Sequence, residues 1–193
     1  MMLSKDKKEP KLSRTAEELV DLIRHRAENL FETHRLLCSE AVLHTLNQGL
    51  GGGLPPEAAI RIASPFSEGI GGAGCACGSF SGALMAVGLF LGRERLDGRE
   101  LKTVQAKGKE LYDLFRSEFG STCCKVLTKK VRHDQKALMK LCTLHTGEAA
   151  EAAARLILEA HPELVAQADL EFLSARDTKL SAGFNRVLSV IRP

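Results

Sequence analysis

The chain has 193 residues, 44% of them hydrophobic and 26% charged, with 27 Lys and Arg against 24 Asp and Glu for a net charge of +3. That length supports one domain with peripheral segments, and the composition favours neither a disordered chain nor a membrane protein. Its basic residues are not interleaved with aromatics, so no nucleic-acid surface is expected.

In chain order, the opening MMLSKDKKEPKLSR is polar and interrupted by Pro10, so residues 1–13 read as a disordered basic arm. It lacks the apolar stretch and small-residue cleavage site of a secretory signal, so the expected location is the cytoplasm. From there Leu19, Leu22, Ile23, Leu30 and Phe31 recur at three- and four-residue steps, the pattern of an amphipathic helix. Ser13 or Thr15 is its expected cap. A second helix is predicted from His34 to Gln48, stopped by the glycines of 49–53. Pro55 and Pro56 open a third, which Pro65 ends or bends. Residues 69–82 hold six glycines and two cysteines, a composition for tight, unusual backbone. They lead into an apolar helix from Ser79 to Leu91, far short of the ~20 residues a membrane-spanning helix needs. Helices are further predicted over Arg99–Phe119, Lys136–Leu144 and Glu148–Ala160, with Gly147 separating the last two. Beyond Pro162, Leu164, Leu170, Phe172, Leu173 and Val187 allow one or two short helices. The organisation expected is all-α: a compact helical bundle with a Gly/Cys-rich loop. It comprises a helical domain over 14–161 and a C-terminal extension, 162–193, packed on it.

Six cysteines in a chain without an export signal point to thiol or metal chemistry more than to a disulfide framework. There is no Cys-x-x-Cys, which excludes the thioredoxin, zinc-ribbon and ferredoxin spacings, so a metal site would have to be assembled from distant segments. Taken singly, Cys38 and Cys142 read as small buried hydrophobes as readily as ligands. Cys75 and Cys77 sit among glycines that let backbone amides approach a sulfur. Cys123 and Cys124 follow a helix break beside Lys125, where a thiolate would be favoured. His145, one helical turn after Cys142, could join a metal site or simply fill the core. Gly69-Ile-Gly-Gly-Ala-Gly74 matches a dinucleotide-binding pattern but lacks the preceding strand and following helix, so no nucleotide is expected.

Four of these segments together carry a resemblance: Cys38-Ser-Glu-Ala-Val-Leu, Cys77-Gly-Ser-Phe-Ser-Gly82-Ala-Leu, Phe119-Gly-Ser-Thr-Cys-Cys124, and Cys142. They resemble the C-GCAxxG-C-C family of redox-active proteins, which is similar to a domain of split-Soret cytochromes, over roughly residues 16–160. Ser79 stands where the family usually has alanine. A register through Cys75 is also available, but Gly82 and the apolar run after it fit Cys77, and the spacing after Gly-Ser fits Cys124 better than Cys123. The resemblance implies a redox or electron-transfer role with Cys38, Cys77, Cys124 and Cys142 converging. They would bind an iron–sulfur cluster, [2Fe–2S] or [4Fe–4S], with zinc as the alternative ligand. The other readings are a metal-free thiol–disulfide protein and a structural zinc or helical interaction module. A redox partner protein is expected, membrane insertion is not, and a homodimer is compatible with this reading.

Overall fold

The computed structural model describes residues 15–94 and 101–178, so the N-terminal arm, Arg99 and Val187 lie outside the described residues. Nine regular α-helices are seen there: α1 (Ala16–Glu32), α2 (Cys38–Leu50), α3 (Pro56–Ala63), α4 (Gly78–Leu91), α5 (Leu101–Phe119), α6 (Cys124–Leu127), α7 (Gln135–Ala160), α8 (Leu164–Gln167) and α9 (Leu170–Ser174), with a 3-10 turn at Ser64–Phe66 and a left-handed turn at Ser67–Ile70 between α3 and α4. No strand is present among the described residues. The only β feature there is an isolated antiparallel bridge between Ala76 and Cys123. The all-α expectation holds.

Each boundary has a local cause. Thr15 caps α1 in a reciprocal box: its hydroxyl accepts from the Glu18 amide at 3.2 Å, and the Glu18 carboxylate accepts from the Thr15 amide at 2.9 Å. α2 starts at Cys38 and not, as expected, at His34, because His34 adopts φ 58° and breaks the helical path. This shift puts Cys38 in the first turn. Pro56 occupies the first position of α3, where its missing N–H costs nothing.

The predicted break at Gly147 is corrected. α7 runs unbroken for 26 residues through that glycine. A Cβ at Gly147 would collide with the Glu28 side chain of α1, so the residue is there to let α1 and α7 approach closely. That packing offsets the ~1 kcal/mol helix penalty of glycine. Ala149, Ala150, Ala153 and Ala154 continue the small, fully buried face. At its edge Arg24 reaches Glu148 at 2.8 Å and Glu151 at 3.0 Å.

α1 packs on α7, and α4 packs against both α2 and α7. Between them lies the core of Leu19, Ile23, Leu43, Leu46, Leu111 and Ile157, all buried. At Gly82 the α4 backbone comes so near α2 that a Cβ would sit 2.5 Å from the Ser39 carbonyl oxygen. The segment after α7 straps back over α1 and α2. Leu173 is buried against Gly49, the Asp169 amide donates to the Gly49 carbonyl at 2.9 Å, and Arg26 pairs with Asp177 at 2.8 Å.

Candidate functional site

Two of the four cysteines come to the site by opening long helices. Cys38 is the first residue of α2, and Cys77 is the cap of α4. The third is delivered by a short backbone zipper. The Cys77 amide donates to Thr122 O at 2.7 Å, the Cys124 amide to Cys75 O at 2.6 Å, and the Lys125 amide to Gly74 O at 3.0 Å. Cys124 then opens α6, a short helix that the sequence pattern did not reveal. Cys142 belongs to the N-terminal third of α7.

All four line one cavity of about 1490 Å³. Cys75 and Cys123 are not part of its lining; Cys75 is exposed, and the Cys123 thiol donates to Gly74 O at 3.2 Å. Glycines permit the close approach. A Cβ on Gly78 would fall on Cys38 Sγ, and one on Gly69, whose φ is +73°, would lie 2.6 Å from Cys124 Cβ. Ser79, in the position where alanine was the usual residue, is satisfied: its hydroxyl pairs with that of Thr146 at 3.1 Å, and Thr146 donates to the Cys142 carbonyl at 2.8 Å. That chain ties α4 to α7 beside the fourth cysteine.

The electrostatics follow from burial and from crowding. Burial pushes the Cys142 thiol up to about 12, and repulsion from Cys38, Cys77, Cys124 and Glu68 adds to it. The Cys124 thiol is pushed up to about 11, first by burial and then by Cys77, Cys38, Cys123 and Glu68. Cys38 and Cys77 are also raised by burial, with backbone amides working the other way: those of Glu68 and Ser39 beside Cys38, and those of Phe80 and Ser79 beside Cys77. Without a bound positive group these thiols stay protonated at neutral pH and are poor nucleophiles.

Glu68 was missed in the sequence. It lines the same cavity, and it begins a run in which Glu68, Gly69, Ile70, Gly71 and Gly72 all have positive φ. The Gly71 amide closes the turn on Ser67 O at 3.0 Å. A left-handed turn costs a non-glycine residue about 1–2 kcal/mol, so Glu68 and Ile70 are held there by their surroundings. The one available signal was a charged residue inside a glycine run. His145 also lines the cavity, but as a buried ring edge-on to Phe119 at 4.5 Å, with burial lowering it to about 4.

Among the described residues no three His, Cys, Asp or Glu side chains are grouped so as to hold a metal ion as they stand. Four soft sulfurs lining one cavity are by their chemistry the donor set common to a closed zinc site and an iron–sulfur cluster.

The profile of the family described as "Putative redox-active protein (C_GCAxxG_C_C)" matches residues 36–156, a span that includes every one of the four cysteines. The chain belongs to this family. Membership in the C-GCAxxG-C-C family supports a redox role, and the matched span also encloses the Gly-rich turn and α7 up to Leu156. No curated protein and no solved structure matches the chain.

Proposed function

We propose that this protein carries electrons and that Cys38, Cys77, Cys124 and Cys142 hold the carrier, an iron–sulfur cluster. The observation that carries the reading is that four segments, far apart in the chain, bring one sulfur each to a single cavity. A cluster bound there supplies reversible one-electron transfer. The chain's own part is to bind and tune it: amides of Ser39 and Glu68 face Cys38, and amides of Ser79 and Phe80 face Cys77. Hydrogen bonds to sulfur and exclusion of solvent are the levers that set such a potential.

A metal-free reading has one observation in its favour. Cys123 adjoins Cys124 in the chain and bridges to Ala76, the neighbour of Cys77, so a fifth thiol lies beside the site for disulfide exchange.

The test is an absorption spectrum of anaerobically purified protein with iron, zinc and acid-labile sulfide measured on the same sample. Visible charge-transfer bands, iron and sulfide are expected, and Cys→Ser at 38, 77, 124 or 142 should abolish them, whereas Cys75→Ser should not. Full cluster content in any of the four variants refutes the ligand set. A colourless, metal-free sample whose thiols pair on mild oxidation transfers the role to disulfide exchange, and zinc alone makes the site structural.

A further inference from the structure

One stretch of surface is unlike the rest. Residues 125–140, which run from α6 into the first turns of α7, contain six Lys or Arg against the single Asp134, although the whole chain has a net charge of only +3. The remainder of the sequence therefore carries more acid than base. Lys125, Lys129, Lys130, Arg132, Lys136 and Lys140 are all exposed. Elsewhere cations are mostly paired: Arg24, Arg26, Arg35, Lys107, Lys109 and Arg155 each meet a carboxylate. None of the six on this stretch has an ion-pair partner among the described residues, and Asp134 is engaged in capping α7.

The same stretch is a wall of the four-cysteine cavity. Leu127, Thr128, Arg132, Gln135 and Met139 line it, alternating along the chain with the outward lysines. Two apolar side chains stand exposed nearby in sequence, Val126 at 58% and Leu144 at 41%. A surface of exposed, unpaired cations attracts a negatively charged partner over long range and releases it readily. This is the character of brief electron-transfer encounters, which bury little area.

We propose that residues 125–140 are the docking surface for an acidic electron-transfer protein, which exchanges one electron with the four-cysteine site across this wall. The partner loses one electron as the site gains one, and the reverse holds for discharge. A nucleic-acid partner is the less favoured occupant, because the patch has no Phe, Tyr or Trp for bases to stack on. The inference rests on the electron-carrier reading above, so its test has an arm that does not.

In the first arm the full-length protein, reduced anaerobically, is mixed with ferricyanide, an anionic one-electron acceptor, and with hexaammineruthenium(III), a cationic one, at low and high salt. Steering by the patch should make the anionic probe at least about tenfold faster at low salt than at ~1 M, where screening reaches only ~3 Å, while the cationic probe gains nothing or slows at low salt. The triple variant Lys129→Glu, Lys130→Glu, Lys136→Glu should lose or invert the preference, with the Gln triple intermediate. In the second arm, binding of poly-L-glutamate is followed at low salt; wild type should bind and the Glu triple should not. An unchanged probe preference in the triple variant, or equal poly-L-glutamate binding by both proteins, overturns the proposal. So does retention of duplex DNA at 0.15 M salt under conditions that release poly-L-glutamate, which would give the surface to nucleic acid. If neither probe is reduced, the electron-carrier reading is what fails, and the binding arm still decides whether the surface captures an acidic chain.

Discussion

Gly78→Ala is the sharpest test of how the site is packed, because two ordinary arguments give it opposite signs. Gly78 opens a 14-residue helix, and alanine in a helix is favoured over glycine by about 0.8–1 kcal/mol. Yet the new Cβ would meet Cys38 Sγ and lie 3.0 Å from the Phe66 carbonyl oxygen and 3.3 Å from Ser67 Cα. Two of these neighbours are backbone and cannot rotate away, so Cys38 and the start of α2 must shift. Overpacking of this kind costs about 1–3 kcal/mol. A contact this close belongs in the upper part of that range, about 2–3 kcal/mol, so after the propensity gain the net expectation is a loss of about 1–2 kcal/mol, or a melting point lower by roughly 2–8 °C for a chain of this size. Gly88 is the control on the same helix: it is exposed and has open space where a Cβ would go. Gly88→Ala should raise the melting point by about 2–4 °C, since only the propensity gain of about 1 kcal/mol remains. Thermal melts of both variants, with alkylation of Cys38 followed by mass mapping, make the comparison. If Gly78→Ala is as stable as wild type, the closeness of Cys38 to the α4 backbone is wrong.

Three further expectations concern other parts of the molecule. His145 is lowered to about 4 by burial, so it favours the native state while neutral. Its contribution is present above the unfolded value of about 6.5 and is lost as pH falls toward 4; His145→Phe should flatten the acid side of a stability profile, which urea melts between those pH values will read. Gly69→Ala combines a φ of +73° with a Cβ 2.6 Å from that of Cys124, so a loss of at least about 2 kcal/mol is expected from strain and overpacking together, and chemical denaturation measures it. Asp177→Ala removes the carboxylate 2.8 Å from Arg26, whose side chain is only 8% exposed; leaving that charge without its partner should cost about 3 kcal/mol, with faster amide exchange over α9.

Helices were legible wherever a charged face and an apolar face alternate. α1 and α5 follow directly from the spacing of Leu19, Ile23 and Leu30 and of Leu111 and Phe115, all of them buried as that spacing requires. Legibility failed where tertiary contact overrode a local preference. Gly147 has a helix breaker's propensity, and only the arrival of Glu28 from α1 explains why it belongs in mid-helix. The run of alanines just after it was the available hint of close helix packing. His34 illustrates the opposite case: nothing in its neighbours marks it for a positive φ, and the start of α2 was therefore placed one turn early. For the site, the four cysteines were picked out by resemblance to a family, because spacing rules say nothing about thiols so far apart in sequence. Glu68 and the basic wall were not found, since a carboxylate in a glycine run and lysines on a helix read as ordinary solvated residues until the cavity beside them is seen.

The zipper and the late helix α7 together have a consequence for biogenesis. The cavity's lining spans Phe31 to His145, and its last wall is a helix that ends only at Ala160. A nascent chain that has exposed Cys38, Cys77 and even Cys124 still has no enclosed chamber, because the contacts that close it are distant in sequence and costly to bring together before the core forms. Enclosure of the four thiols is thus deferred until translation has gone well past Cys142, and a product truncated before that point would present them loose.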